Sequence, residues 1–166
     1  QIIGYMGRIS KQSLSDYEMQ DFLQLMSAVG DLENIGDTIE TNLVNLGFDR
    51  IDAGISISKP TRTVLKDFHQ TVTTAFHAAI QAVSQNNREA AQSVIDMQDK
   101  ITGLATSAAA HQAVRLVADE PNRIPAYTIE IDIIEKQKRI YSFAKNMAES
   151  VMASDSEHVG AAIAEG

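Results

Sequence analysis

The sequence predicts an all-α fold, an antiparallel bundle of about five helices. Three observations lead there. Apolar residues recur at helical spacing over four long stretches, about 15–46, 60–84, 88–118 and 125–153. Turn and capping residues, among them Gly47, Pro60, Asn87 and Pro121, stand between those stretches. The one short alternation, Ile55-Ser56-Ile57-Ser58, has no second run to pair with, so no sheet is expected.

In chain order, Gln1 to about Ser10 reads as the end of a helix, with Ile2, Ile3, Met6 and Ile9 on one face. So short a helix is unstable alone and must pack on the rest. Ser13 to Asp16 is a loop, and Ser15 followed by Glu18 has the spacing of a capping box. A long helix follows, with a stripe of Phe22, Leu25, Met26, Val29, Leu32, Ile35, Ile39, Leu43 and Leu46. Gly47 ends it, where a left-handed cap is common. Asp49 to Lys59 is a connection.

Pro60 suits a first helical turn, and Val64, Leu65, Phe68, Val72, Phe76, Ile80 and Val83 form the next apolar face. After a turn at 85–87, with Asn87 as cap, a helix runs to about Ala118. Its middle, Ala105 to Ala110, is made of small residues that permit close approach. Pro121 and Pro125 mark a break. The last helix carries Ile129, Ile133, Ile134, Ile140, Phe143, Ala144, Met147 and Val151, and beyond Ser154 the tail is expected to fray.

Asp31-Leu32-Glu33-Asn34-Ile35-Gly36-Asp37 organises the first long helix. Glu33, Asp37 and Glu40 lie within roughly 60° of one another along one flank of the stripe, whereas Asp31 points away to solvent. Three like charges so placed repel unless something positive meets them. Gly36 falls on the stripe itself. A glycine inside a helix costs about 1 kcal/mol relative to alanine, so another helix is expected to come very close there.

The 166 residues, 44% of them hydrophobic, suffice for one soluble domain with a substantial core. The net charge of −8 argues against nucleic acid and anionic membrane as partners. With no cysteine, neither a disulfide nor a thiolate metal site can form, which fits a cytoplasmic address. No apolar run nears the ~20 residues of a membrane span. The start Gln1-Ile2-Ile3, apolar and without an initiator Met, reads as the edge of a piece cut from a longer protein.

The two long helices match in apolar phase when Ile35 is set against Ile140. This suggests two copies of a three-helix unit, the first lacking its opening helix. In that register Lys138, Ser142 and Lys145 stand against Glu33, Asp37 and Glu40, and the lysines are placed to neutralise the acid column across the bundle.

The stretch Asp31 to Asp37 resembles the Asp-Leu-Glu-Arg-Ile-Gly-Asp motif of PhoU-type helical bundles. Tyr127-Thr128-Ile129-Glu130 through Lys138-Arg139-Ile140-Tyr141 is similar to the PhoU-like domain appended to sodium/phosphate symporters. The resemblance covers roughly Leu14 to Val151. It implies one PhoU-like domain over 1–166, with a truncated first repeat at about 1–47 and a second at about 60–154. It also implies a non-catalytic regulatory domain of a sodium-dependent phosphate transporter, on the cytoplasmic side of the inner (plasma) membrane. The membrane domain of the same chain would be its partner, with a homodimer as a further expectation. Carried over residue by residue, the metal ligands would be Glu33 and Asp37, with Glu40 as a third, for a divalent or ferric cation. The second repeat departs from this pattern at Lys138 and Ser142, so no cofactor is the first expectation. The alternatives are a free-standing, metal-binding PhoU-type regulator of phosphate signalling, and a plain helical interaction module.

Other chemistry finds little support. His69 and His77 share one helix but are too few for a zinc site, and His111 and His158 have no obvious partner. A ferritin-like di-iron oxidase needs Glu-x-x-His pairs, and no Glu here is followed by His three residues on. No phosphate-binding glycine loop or nucleophile elbow is present, so the chain is not expected to be an enzyme.

Overall fold

The computed structural model describes residues 2–9, 14–116 and 123–164. Ser13, Val117, Ala118 and Pro121, and the side chains of Ile2, Ile3 and His158, lie outside the described residues. All regular structure among them is helical: α1 (Ile2–Ile9), α2 (Asp16–Asp37), a π-helical turn (Thr38–Leu43), α3 (Val44–Asp52), α4 (Lys59–Gln85), α5 (Arg88–Asp96), α6 (Gln98–Leu116) and α7 (Arg123–Ala164). Since α2, the π turn and α3 run on without interruption, and α5 and α6 are parted only at Met97, the eight elements form five rods. The all-α bundle of about five helices is therefore what the chain adopts. None of these helices is long and apolar enough to cross a membrane.

Local chemistry sets the helix ends. The Ser15 hydroxyl accepts from the Glu18 N–H while the Glu18 carboxylate accepts from the Ser15 N–H at 2.9 Å, a complete capping box that also holds the Glu18 carboxyl below its ordinary range. Ser58 caps α4, with Pro60 in the first turn, and Asn87 caps α5 by accepting from the Ala90 N–H at 3.0 Å.

Three boundaries differ from the sequence reading. The first rod does not stop at Gly47 but continues to Asp52. Its left-handed cap is Gly54, at φ 62°, with the Gly54 and Ile55 N–H groups donating to the Ile51 and Arg50 carbonyls. The helix read as continuous from Arg88 breaks at Met97, because the Val94 carbonyl accepts from the Met97 N–H (3.2 Å) and from the Tyr141 hydroxyl (3.0 Å). At the far end the α7 backbone stays helical to Ala164 rather than fraying after Ser154.

Contacts between helices distant in sequence give the topology. Asp31 of α2 lies beside Asn146 of α7, and Ile55, after α3, packs with Ala126 and Ile129 at the start of α7. Thr61 of α4 meets His111 of α6. The α6–α7 groove runs from Gln98 and Ser142 at one end to Gln112 and Tyr127 at the other. Each of these pairs is antiparallel, so α4 and α7 run parallel, and they share the most extensive contact in the molecule.

The core lies among α4, α5, α6 and α7. Phe68, Ala75, Ala79, Ala82, Ala91, Val94, Ala144 and Ala148 are fully buried, with Met147 and Val151 beside them. Alanines on several helices let the backbones approach closely, and each fully buried large side chain contributes about 1.5–3 kcal/mol. The α2–α3 rod packs on the outside of α7 through a narrower face, with only Ala28, Ile35 and Thr38 buried along it.

Candidate functional site

The Asp31–Asp37 stretch ends α2 and leads straight into the π turn. Such turns widen the helix by one residue and re-aim the side chains that follow. Here Thr38 turns inward, its hydroxyl donating to the Asn34 carbonyl at 2.7 Å, while Ile39 is left 44% exposed. Expected on the stripe, Ile39 and Leu25 are in fact exposed, and Ile35 takes the buried position.

Two expectations about this stretch are corrected. Gly36 is exposed, and a Cβ built on it would meet no atom within 4 Å, so no helix packs closely there. Asp31 does not point to solvent; it is half-buried toward α7. Burial pushes its carboxyl above the usual aspartate range, partly offset by a hydrogen bond with the Asn146 side chain.

Glu33, Asp37 and Glu40 are all exposed. Glu33 and Asp37, four apart within α2, share a face, but Glu40 lies beyond the start of the π turn. Among the described residues no three His, Asp or Glu side chains converge as a metal centre would require. The lysines expected to neutralise the column do not reach it. Lys138 pairs with Glu135 at 2.9 Å and Lys145 with Glu149 at 3.4 Å, both along α7 itself. A partner one turn away on the same helix needs no bundle-crossing reach.

The matching α7 stretch serves the core. Ile140 and Tyr141 are buried, Tyr141 pins α7 to the end of α5, and Arg139 lies over the Phe143 ring at 5.5 Å from its centroid. Burial pushes the Tyr141 phenol above its ordinary range, helped by the carboxylates of Glu149, Asp96 and Asp99. Lys138 and Ser142 line the α6–α7 groove, about 550 Å³, whose far end holds the buried Gln112 amide.

Sequence reasoning missed two polar contacts at the opposite end of the bundle. The Thr61 hydroxyl lies 3.1 Å from His111 Nε2, fifty positions away in sequence, and 3.0 Å from the hydroxyl of its near neighbour Ser58. Glu130, 1% exposed, lines a small cavity with Arg123, Tyr127 and Gln112. No local signal marks His111. Glu130 sits among Ile129, Ile131, Ile133 and Ile134, a surrounding that points to burial. His69 and His77 are exposed.

The fold and these residues define an all-α helical domain with a small-residue core and an acidic outer rod. The family model described as the PhoU domain matches residues 65–151, from α4 through α7, and the chain belongs to the PhoU-domain family. No curated protein and no solved structure matches the chain. Membership points to phosphate-related regulation rather than catalysis.

Proposed function

We propose that the chain is a non-catalytic regulatory domain of a sodium-dependent phosphate transporter, held at the cytoplasmic side of the membrane by the transporter's own spans. Family membership supports the phosphate link. The observation that carries the transporter reading is the second long helix, where Tyr127-Thr128-Ile129-Glu130 through Lys138-Arg139-Ile140-Tyr141 resembles symporter-appended domains and Lys138 and Ser142 replace the acids of the first helix. On this reading α4–α7 is a complete repeat, and α1–α3 is what remains of an incomplete one.

Sodium-dependent uptake of labelled phosphate, measured with the intact gene product and with residues 1–166 deleted, tests this. Membrane spans in the same reading frame and an altered uptake rate or phosphate response are the expected result. A frame without spans, or uptake indifferent to the deletion, overturns it.

The second reading is a free-standing, cation-binding regulator. It is favoured by Glu33 and Asp37 sharing an exposed face clear of both lysines. Two carboxylates are few for a hard cation, which takes six or more oxygens. We expect no stoichiometric metal by elemental analysis and no change in Tm with chelator. Ligand at a hundredfold excess over Kd would stabilise the fold by about 2.7 kcal/mol, a shift easily seen. Tight binding of iron or zinc, abolished by Glu33→Ala with Asp37→Ala, would establish the second reading.

A further inference from the structure

The rod from Asp16 to Asp52 holds nine acidic residues against the single base Arg50, a net charge of −8. That equals the formal charge of the whole chain, so the other residues balance, thirteen acids against thirteen bases. Among the described residues, eight of the eleven large apolar side chains that are exposed also belong to this rod. The most ordered group of them is on α3. Val44, Phe48 and Ile51 are 46%, 60% and 63% exposed, and their i, i+4, i+7 spacing places them within about 60° of one another. Asp52 lies about 40° from Phe48 around the helix. Glu40 stands one turn before Val44, and Asp37 and Glu33 precede it.

We propose that the α3 face is a docking site for a partner protein's amphipathic helix, one with Lys and Arg beside its apolar stripe. An apolar stripe of this spacing is what a helix uses to seat a second helix, and the surrounding carboxylates select the sign of the partner. A second copy of this chain would bring one rod of charge −8 against another, and an anionic bilayer would be repelled in the same way. A basic helix meets both demands: its apolar side covers Phe48 and Ile51, and its flanking cations meet Glu40 and Asp52. The inference stands on charge and exposure and does not depend on the phosphate reading.

The test uses residues 1–166 and a fluorescein-labelled synthetic helix with Leu at i, i+3, i+4 and i+7 and Lys at the flanking positions. Two control peptides are a scrambled version of equal charge and a version with every Lys changed to Glu. Anisotropy titration should show binding that falls at least about tenfold for the scrambled peptide, as expected from losing one or more buried apolar anchors. The Glu version should not bind. Phe48→Ser with Ile51→Ser should weaken binding at least about tenfold, and Glu40→Lys with Asp52→Lys should weaken it and flatten its salt dependence. All four side chains are exposed, so an unchanged melt will show that the variants fold.

Absence of binding at millimolar peptide overturns the proposal. So does equal affinity for the ordered and scrambled peptides, or for the native and Phe48→Ser/Ile51→Ser proteins. Self-association in sedimentation that Phe48→Ser abolishes would assign the face to a second copy instead, and Phe48-dependent flotation with anionic vesicles would assign it to a membrane.

Discussion

The α2–α3 rod and the α4–α7 unit pack against the same helix, α7, yet they are built on opposite compositions. In α4–α7, fully buried alanines alternate with Phe68, Val72, Val94 and Met147, and the charges nearly balance, eleven bases against ten acids. Along the rod only Ala28, Ile35 and Thr38 are buried, large apolar side chains face outward, and acids outnumber bases nine to one. A helix packed among several neighbours buries most of its circumference; one packed mainly on a single neighbour buries a strip. The α4–α7 unit therefore carries the stability, and the rod carries an uncommitted surface.

The largest effect that tests this division is a cavity in the unit. Phe68→Ala should cost about 3–5 kcal/mol, because Phe68 is fully buried at 0% exposure. The same truncation at Phe48, 60% exposed, should stay within about 0.5 kcal/mol. Urea melts of the two variants check both. Equal losses would mean that the rod is as much a part of the core as the unit.

The sequence was most legible where one physical rule acts alone. The capping box at Ser15, Pro60 in the first turn of α4, the cap at Asn87 and, Ile80 excepted, the apolar face of α4 are local patterns that appear as read. Three of the misreadings on the rod share one reason. Hydrophobic periodicity assumes an unbroken 3.6-residue turn and neighbours on every apolar side. The π turn breaks the first assumption, rotating Ile39 out and Thr38 in. The single main neighbour breaks the second, leaving Gly36 in open space and drawing Asp31 toward α7. The Thr61–His111 contact depends on tertiary placement, which no local pattern encodes, whereas the burial of Glu130 was open to reading from the isoleucines around it.

The joint between α5 and α7 offers a sharper probe of the unit. Tyr141→Phe removes the hydroxyl that donates to the Val94 carbonyl at 3.0 Å and should cost about 1 kcal/mol. Because burial raises the phenol's pKa in the folded state, that stability is present below the ordinary tyrosine value near 10 and is lost as pH rises through the folded value. The variant should show less alkaline destabilisation than the parent, by circular dichroism between about pH 9 and 11.

The rod should respond in the opposite direction at Gly36. With nothing within 4 Å of a Cβ there, Gly36→Ala gains helix propensity without a clash and should stabilise the protein by about 0.5–1 kcal/mol. A loss of stability would show that the π turn needs the glycine's freedom.

The smallest effect separates the rod's two kinds of carboxylate. Asp31 is drawn toward α7, and burial raises its folded pKa above the unfolded value near 3.9, with the Asn146 hydrogen bond opposing more weakly. A raised acid pKa means that the folded state holds the proton more tightly. The associated stability is present below the unfolded value and lost as pH rises through the folded one, so at neutral pH the ionised Asp31 is a cost. Asp31→Asn removes that charge while keeping an oxygen for Asn146. It should stabilise the fold at pH 7, by no more than about 1 kcal/mol since solvent screens a half-exposed group, and the resulting gain in Tm should vanish toward pH 4. Glu33→Gln, on the exposed face two positions away, should change the melt little at either pH. If Asp31→Asn melts lower than the parent at pH 7, the carboxylate–Asn146 bond outweighs burial, and the rod is held to α7 by a charge-assisted contact as well as by Ala28 and Ile35.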